Sequence, residues 1–67
     1  MITLEINGET RTMPAVASLS ELLHNLGVGL DRVAVEVNRQ IIRRKDWDTT
    51  AVNGGERIEI VQFVGGG

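Results

Sequence analysis

The sequence predicts an α+β fold, a small mixed sheet packed on one main helix. Three observations lead there. Only one segment, Ser18 to Gly27, has helical periodicity, with Leu19, Leu22, Leu23 and Leu26 along one face; such a stripe must lie against another layer. The segments around it alternate apolar and polar residues with the period of half-buried strands. Finally, Asn7-Gly8 permits only antiparallel pairing of its flanks, whereas the stretch through the helix is long enough for a crossover, so the sheet is mixed.

Each element has its own warrant. Ile2, Leu4 and Ile6 alternate with Thr3, Glu5 and Asn7 to make a first strand. Asn7-Gly8 is the strongest short hairpin signal, because both residues tolerate positive φ. Thr10 to Met13 runs back as a second strand, and Pro14 ends it. Ser18 and Glu21 have capping-box spacing, the hydroxyl taking one orphan amide and the carboxylate another. Gly27 stands where a left-handed residue closes a helix. Val33, Val35 and Val37 alternate with Ala34, Glu36 and Asn38 as a third strand, and Ile41-Ile42 is a candidate fourth. Asp46 to Thr50 reads as one capped turn with Trp47 plugging the edge of the core. Asn53-Gly54-Gly55 is a tight turn into a last strand, Arg57 to Val64. A small mixed sheet wrapped on one helix is the β-grasp arrangement. The domain is expected to span residues 1–64, with 65–67 as a flexible glycine tail.

Length and composition remove competing functions. A chain of 67 residues has room for one domain and buries only roughly 60% of its unfolded surface, leaving little to wall an enclosed substrate pocket. No segment approaches the roughly 20 apolar residues of a membrane span, and Met1 to Glu5 is strand-like rather than a signal peptide. Cysteine is absent, which removes disulfides, thiolate nucleophiles and cysteine metal sites and suits a cytoplasmic location. Net charge is −2, and Trp47 and Phe63 are the two aromatic residues. Nucleic-acid modules carry a basic footprint and stacking aromatics, so nucleic acid is not an expected partner, nor is a membrane.

The chain stops in Gly65-Gly66-Gly67 directly after a strand. A thread without side chains enters a channel too narrow for other residues, but ordering it costs more backbone entropy than any other sequence would. A frayed terminus is the ordinary reading; the sharper one makes the carboxyl of Gly67 the working group and the folded domain its handle.

In this order and at this length, the parts resemble the ThiS family, the ubiquitin-like β-grasp sulfur carriers of thiamine biosynthesis. The resemblance covers essentially the whole chain and rests on several motifs. These are Asn7-Gly8, the helix Ser18 to Gly27, the strand Val33 to Asn38, Arg44 with Trp47, the strand Gly55 to Val61, and Gly66-Gly67. Arg43 stands where many members have proline, and Gly65 where many have alanine or another small residue. The resemblance implies that Gly67 is adenylated and then converted to a thiocarboxylate, with Gly65 and Gly66 threading into the activating enzyme. It implies three partners: a ubiquitin-activating-like adenylyltransferase of the ThiF type, a persulfide sulfur donor, and a thiazole synthase of the ThiG type as acceptor. The chain itself would then be a protein substrate rather than an enzyme, with no stably bound cofactor and no metal, ATP being used by the activating partner.

The other chemistry-bearing residues have mostly structural readings. His24 lies off the leucine stripe and reads as a solvated side chain; Asp46 and Asp48 read as capping groups around Trp47. Arg39, Arg43, Arg44 and Lys45 form the one basic cluster of the sequence, by default a solvated loop face. In the last strand Ile58 and Ile60 point to the core, while Val61 and Phe63 point to the helix-free face and are candidate partner-docking residues. Two alternatives stand beside the thiamine carrier. One is a carrier for another acceptor, such as the small subunit of molybdopterin synthase, which tends to be longer and to have prolines before its glycines. The other is a ubiquitin-like interaction module whose glycines are only a tail.

Overall fold

A computed structural model describes residues 1–63. The strands are β1 (Ile2–Ile6), β2 (Glu9–Met13), β3 (Val33–Val37), β4 (Gln40–Ile42) and β5 (Arg57–Gln62). The helix α1 (Leu19–Asn25) follows β2, and a 3₁₀ helix (Arg44–Thr49) follows β4. The five strands form one mixed sheet in the order β2-β1-β5-β3-β4. The last strand therefore lies at its centre, parallel to β1 and antiparallel to β3. This is the expected β-grasp arrangement, with the α1 connection crossing from one side of the sheet to the other.

The Asn7-Gly8 turn forms as expected, with φ of 50° and 83° at its two residues, the positive pair that matches strand twist in a two-residue hairpin. At the start of α1 the Ser18 hydroxyl accepts the Glu21 amide at 3.2 Å. The Glu21 carboxylate differs from the expected box: it accepts the amide of Ala17, not of Ser18, at 3.0 Å. The cap is thus one residue wider, and the two side chains fix the approach to the helix as well as its first turn. Gly27 closes the helix with φ of 72°.

The capped turn expected at Asp46 is a longer 3₁₀ helix beginning at Arg44, and no side chain caps its start. Its closure is at the far end, where the Thr49 and Thr50 hydroxyls both donate to the Asp46 carbonyl at 3.2 and 2.6 Å. Trp47 is buried as expected, and its indole Nε1–H donates to the Ile42 carbonyl at 2.9 Å. That bond satisfies the polar edge of an otherwise apolar side chain. It also ties the 3₁₀ helix back to the end of β4.

The core lies between the sheet and this helical layer. Leu4, Ile6, Val35, Val37 and Ile58 enter from the strands, Leu19, Leu22 and Leu23 from α1, and Trp47 and Val52 from the segment after β4. Leu26 is partly buried at the margin, where α1 is ending. Two contacts join α1 to the 3₁₀ segment within this layer: the Leu19 amide donates to the Thr50 carbonyl at 2.8 Å, and the Ser20 hydroxyl donates to the Asp48 carboxylate. Among the described residues no helix is long and apolar enough to cross a membrane.

Leu23 is fully buried, with no exposed surface. Its truncation to alanine is expected to cost about 2–5 kcal/mol. The whole stability of a domain this small is only about 3–5 kcal/mol, so the variant should be largely unfolded at room temperature. Urea denaturation followed by circular dichroism checks this; a Leu23→Ala chain with the parent's midpoint would place α1 with another face inward.

Candidate functional site

The sequence points to the end of β5, where the chain runs toward its glycines. The ladder ends at Gln62, whereas the alternation of Arg57 to Val64 implies a strand that includes Phe63. Gln62 is the last residue of β5, in register with Val33. Phe63 is outside the strand, although its amide still donates to the Arg32 carbonyl at 2.7 Å. The pairing cannot continue as regular ladder because Arg32, with φ of 63°, is in the left-handed region that β-strands exclude. Val64, Gly65, Gly66 and Gly67 lie outside the described residues, and with them the expected tail.

Two asparagines hold β5 in place, and neither role was predicted. Asn7 uses its side chain as a further rung: its carboxamide oxygen accepts the Ile60 amide at 2.7 Å, and its Nδ2 donates to the Ile60 carbonyl at 3.2 Å. The direct register between β1 and β5 covers Glu5 with Arg57 and Ile6 with Ile58; Asn7 lengthens this ladder in the direction of the tail. At the other end Asn38, in the turn between β3 and β4 with φ of 50°, accepts the Arg57 amide on Oδ1 at 3.0 Å. Asparagine suits both positions because it tolerates left-handed φ and carries a donor and an acceptor on one short side chain. The signal in the sequence was asparagine at each hairpin; which strand each one grips is decided only by the sheet order.

The helix-free face is built by the alternate residues of each strand. Leu4, Ile6, Val35, Val37 and Ile58 point into the core, so Thr3, Glu5, Ala34, Glu36, Ile41, Arg57, Glu59 and Val61 stand on the opposite face. Val61 is 54% exposed and Phe63 58%, as expected of residues away from the core. Ile41, to which the sequence reading assigned no face, is 72% exposed and joins them. On the same face the Arg57 guanidinium pairs with the Glu5 carboxylate at 3.0 Å, and the Thr3 and Thr12 hydroxyls share a hydrogen bond at 3.1 Å.

The basic cluster of the sequence is divided in space. Arg39, in the β3–β4 turn, borders an open cavity of about 320 Å³ with Glu5, Asn38, Gly55 and Arg57. Arg43, Arg44 and Lys45 lie past the other end of β4, where Arg44 meets Asp31 at 3.5 Å. His24 is exposed on α1, as expected.

Breaking the Asn7 clamp tests how the exit strand is positioned. Asn7→Gly keeps the positive φ but loses both bonds to Ile60. The expected loss is about 1–3 kcal/mol in the urea midpoint, accompanied by faster hydrogen exchange at the Ile60 amide. Unchanged exchange there would show that β1 alone orders this part of β5.

Comparison with known proteins agrees with this geometry. The model of the ThiS family matches residues 4–67. A thiazole synthase of Paramagnetospirillum magneticum is 45% identical over 64 residues, covering 96% of this chain and 20% of that protein. The chain thus spans about a fifth of the length of that relative. An uncharacterized protein, ycf40, of Porphyra purpurea is 33% identical over 98% of this chain and 93% of its own length. The crystal structure of a thiamine biosynthesis protein (ThiS) from Geobacter metallireducens superposes with a TM-score of 0.84 at 33% identity. That match covers 98% of this chain and 100% of the other.

Proposed function

The chain belongs to the ThiS family, and from that premise we propose that it is a sulfur carrier for thiazole formation in thiamine biosynthesis, with the carboxyl of Gly67 as its working group. The observation that carries this reading is the extent of the family match: it continues through residue 67 and so takes in the glycines after β5. Residues 1–64 serve as the folded handle and 65–67 as the thread.

The chemistry follows from the poor reactivity of a carboxylate, whose charge repels nucleophiles and whose leaving group would be oxide. An adenylating partner of the ubiquitin-activating type joins the Gly67 carboxylate to the α-phosphate of ATP and releases pyrophosphate. The terminal sulfur of a persulfide donor attacks the acyl carbon and displaces AMP. A thiol then cleaves the resulting S–S bond, leaving the sulfur on the carboxyl and taking the donor's other sulfur into a disulfide. The thiocarboxylate is a soft nucleophile held on a protein, so its effective concentration at a docked thiazole synthase is high. Catalytic groups come from these partners; the chain is their substrate.

The handle must dock close to the channel its tail enters. Residues 64–67 are four, which extended span at most about 14 Å. Anything that binds the body and also reaches the Gly67 carboxyl therefore contacts the molecule close to Phe63. Val61 and Phe63 supply exposed apolar surface there, and aromatic side chains dominate the energetics of small interfaces.

Two experiments test the proposal. In the first, the chain is mixed with the adenylating enzyme and ATP, following pyrophosphate release and the intact mass of the carrier. Exchange of oxygen for sulfur at Gly67 is expected on adding the persulfide donor. One residue added beyond Gly67, or Gly66→Val, should abolish both signals, since a Cβ obstructs a narrow channel and disfavours positive φ; Gly65→Ala should be mild. Adenylation of an extended, untrimmed chain would leave the interaction-module reading in its place. In the second, Phe63→Ala should melt within about 0.5 kcal/mol of the parent, as for exposed positions, yet bind the adenylating enzyme at least about 5-fold more weakly. Unfolding of this variant with normal binding by its folded fraction would make Phe63 a structural residue.

A further inference from the structure

The chain has four asparagines, Asn7, Asn25, Asn38 and Asn53, and two of them, Asn7 and Asn53, precede glycine. An asparagine carboxamide is an electrophile within reach of the next residue's backbone nitrogen. Attack there closes a five-membered ring, and a following glycine has no Cβ to hinder it. Asn7 and Asn53 are both exposed, so solvent access does not separate them.

Hydrogen bonding does. The Asn7 carboxamide is held at both ends by Ile60, its oxygen accepting at 2.7 Å and its Nδ2 donating at 3.2 Å. It cannot rotate toward the Gly8 nitrogen without breaking both bonds. Asn38 is restrained by its bonds to the Arg57 amide and the Glu56 carboxylate, and Arg39 follows it with a full side chain. After Asn25 the next amide is already engaged, the Leu26 N–H donating to the Leu22 carbonyl at 3.0 Å. Asn53 has neither restraint. Among the described residues its carboxamide makes no hydrogen bond, and the Gly54 amide donates to no acceptor.

The turn around Asn53 has a tertiary role. The Glu56 amide donates to the Asn53 carbonyl at 3.3 Å, and Gly55 has φ of 87°, the positive value at the third position that marks a type II turn. The Asn53 amide in turn donates to the Glu56 carboxylate at 2.7 Å. The Gly55 amide donates to the Thr3 carbonyl at 2.7 Å, and the Glu5 amide to the Glu56 carbonyl at 3.1 Å. This turn therefore sets where β5 starts alongside β1, between the buried side chains of Val52 and Ile58.

We propose that Asn53 is a spontaneous deamidation site of the folded chain, and that its isoaspartate product loosens the insertion of β5 into the sheet. The Gly54 nitrogen attacks Cγ of Asn53, and its proton leaves with the side-chain nitrogen as ammonia, giving a succinimide. Water, the sole co-reactant, then opens the ring at either carbonyl. Opening at Cγ gives aspartate with the original backbone; opening at the backbone carbonyl gives isoaspartate, whose main chain runs through Cβ and Cγ. Both products add one negative charge beside the Glu56 carboxylate. Isoaspartate also lengthens the main chain of the turn by one methylene, drawing apart the groups that form the Asn53–Glu56 and Gly55–Thr3 bonds. The site stands independently of the carrier reading.

For the test, the full chain is incubated in mildly alkaline buffer, once folded and once in urea. Each asparagine is followed by peptide mapping with fragmentation that distinguishes isoaspartate from aspartate. In the folded chain Asn53 is expected to convert at least about tenfold faster than Asn7, whose two hydrogen bonds must open first. In urea the two Asn-Gly sites should react at comparable rates. The isoaspartate form, separated by ion exchange, should melt at least about 4 °C below the parent, with faster hydrogen exchange at the Gly55 amide. Asn53→Asp isolates the charge and should melt closer to the parent. Asn53→Gln, whose ring closure needs six members, should stay intact at that position over the same period. Equal rates at Asn7 and Asn53 in the folded chain, or an Asn53 that reacts only in urea, overturn the assignment of the site. An isoaspartate form with the parent's melting temperature and Gly55 exchange, or one matched by Asn53→Asp, overturns the backbone coupling to β5.

Discussion

The structure depends on insertion of its last strand into the middle of its sheet. β5 is flanked by β1 on one side and β3 on the other, and Ile58 at its start is fully buried. Until β5 arrives, the hairpin of β1 and β2 and the hairpin of β3 and β4 share no strand contact. Two-stranded hairpins are at best marginally stable in water. Closing the sheet therefore needs pairings between residues about fifty positions apart, such as Ile6 with Ile58. Such contacts bear the full entropy of loop closure before they return any stability. The parallel register between β1 and β5 is short, and the Asn7 side chain supplements it with two further hydrogen bonds to Ile60.

A second constraint is that the helical layer covers one face alone. α1 and the 3₁₀ helix converge on the same side, joined by Leu19 to Thr50 and Ser20 to Asp48, and Trp47 completes their shared apolar surface. A domain of this length cannot build a second layer, so the other face is left to solvent. The Thr3–Thr12 pair and the Glu5–Arg57 ion pair occupy the β1–β2 side of that face. The β3–β4 side instead presents Ile41, Val61 and the Glu36–Glu59 register pair. The two halves of the open face differ in kind, and the central strand carries the boundary between them.

Local chemistry serves tertiary ends at several points. Ser18 and Glu21 cap α1, but the carboxylate reaches back to Ala17 and orders the loop that enters the helix. Asn7 and Asn38 make hairpin turns, and the same side chains hold the backbone of β5 at Ile60 and Arg57. Their substitution would cost more than the loss of a turn preference, because each one leaves a strand amide without its acceptor.

The sequence by itself determined the elements and their inward faces. Strand alternation in Ile2 to Ile6 and Val33 to Val37, the leucine stripe of α1, and the turns at Asn7-Gly8 and Gly27 are local patterns, read from residues within a few positions of one another. The exposure of Val61 and Phe63 was legible for the same reason, since a strand that buries Ile58 and Ile60 must turn its alternate residues outward. The early end of β5 and the position of Ile41 beside Glu36 were not legible. Each depends on a register between strands or on a partner distant in sequence: Arg32 in left-handed conformation beside Phe63, and β4 laid against β3. The Glu36–Glu59 pair, 23 positions apart, belongs with these. Alternation assigned each of them to a face, but only the antiparallel pairing of β3 with β5 set them side by side, because register is fixed by the burial of Val35, Val37 and Ile58 and not by the carboxylates themselves.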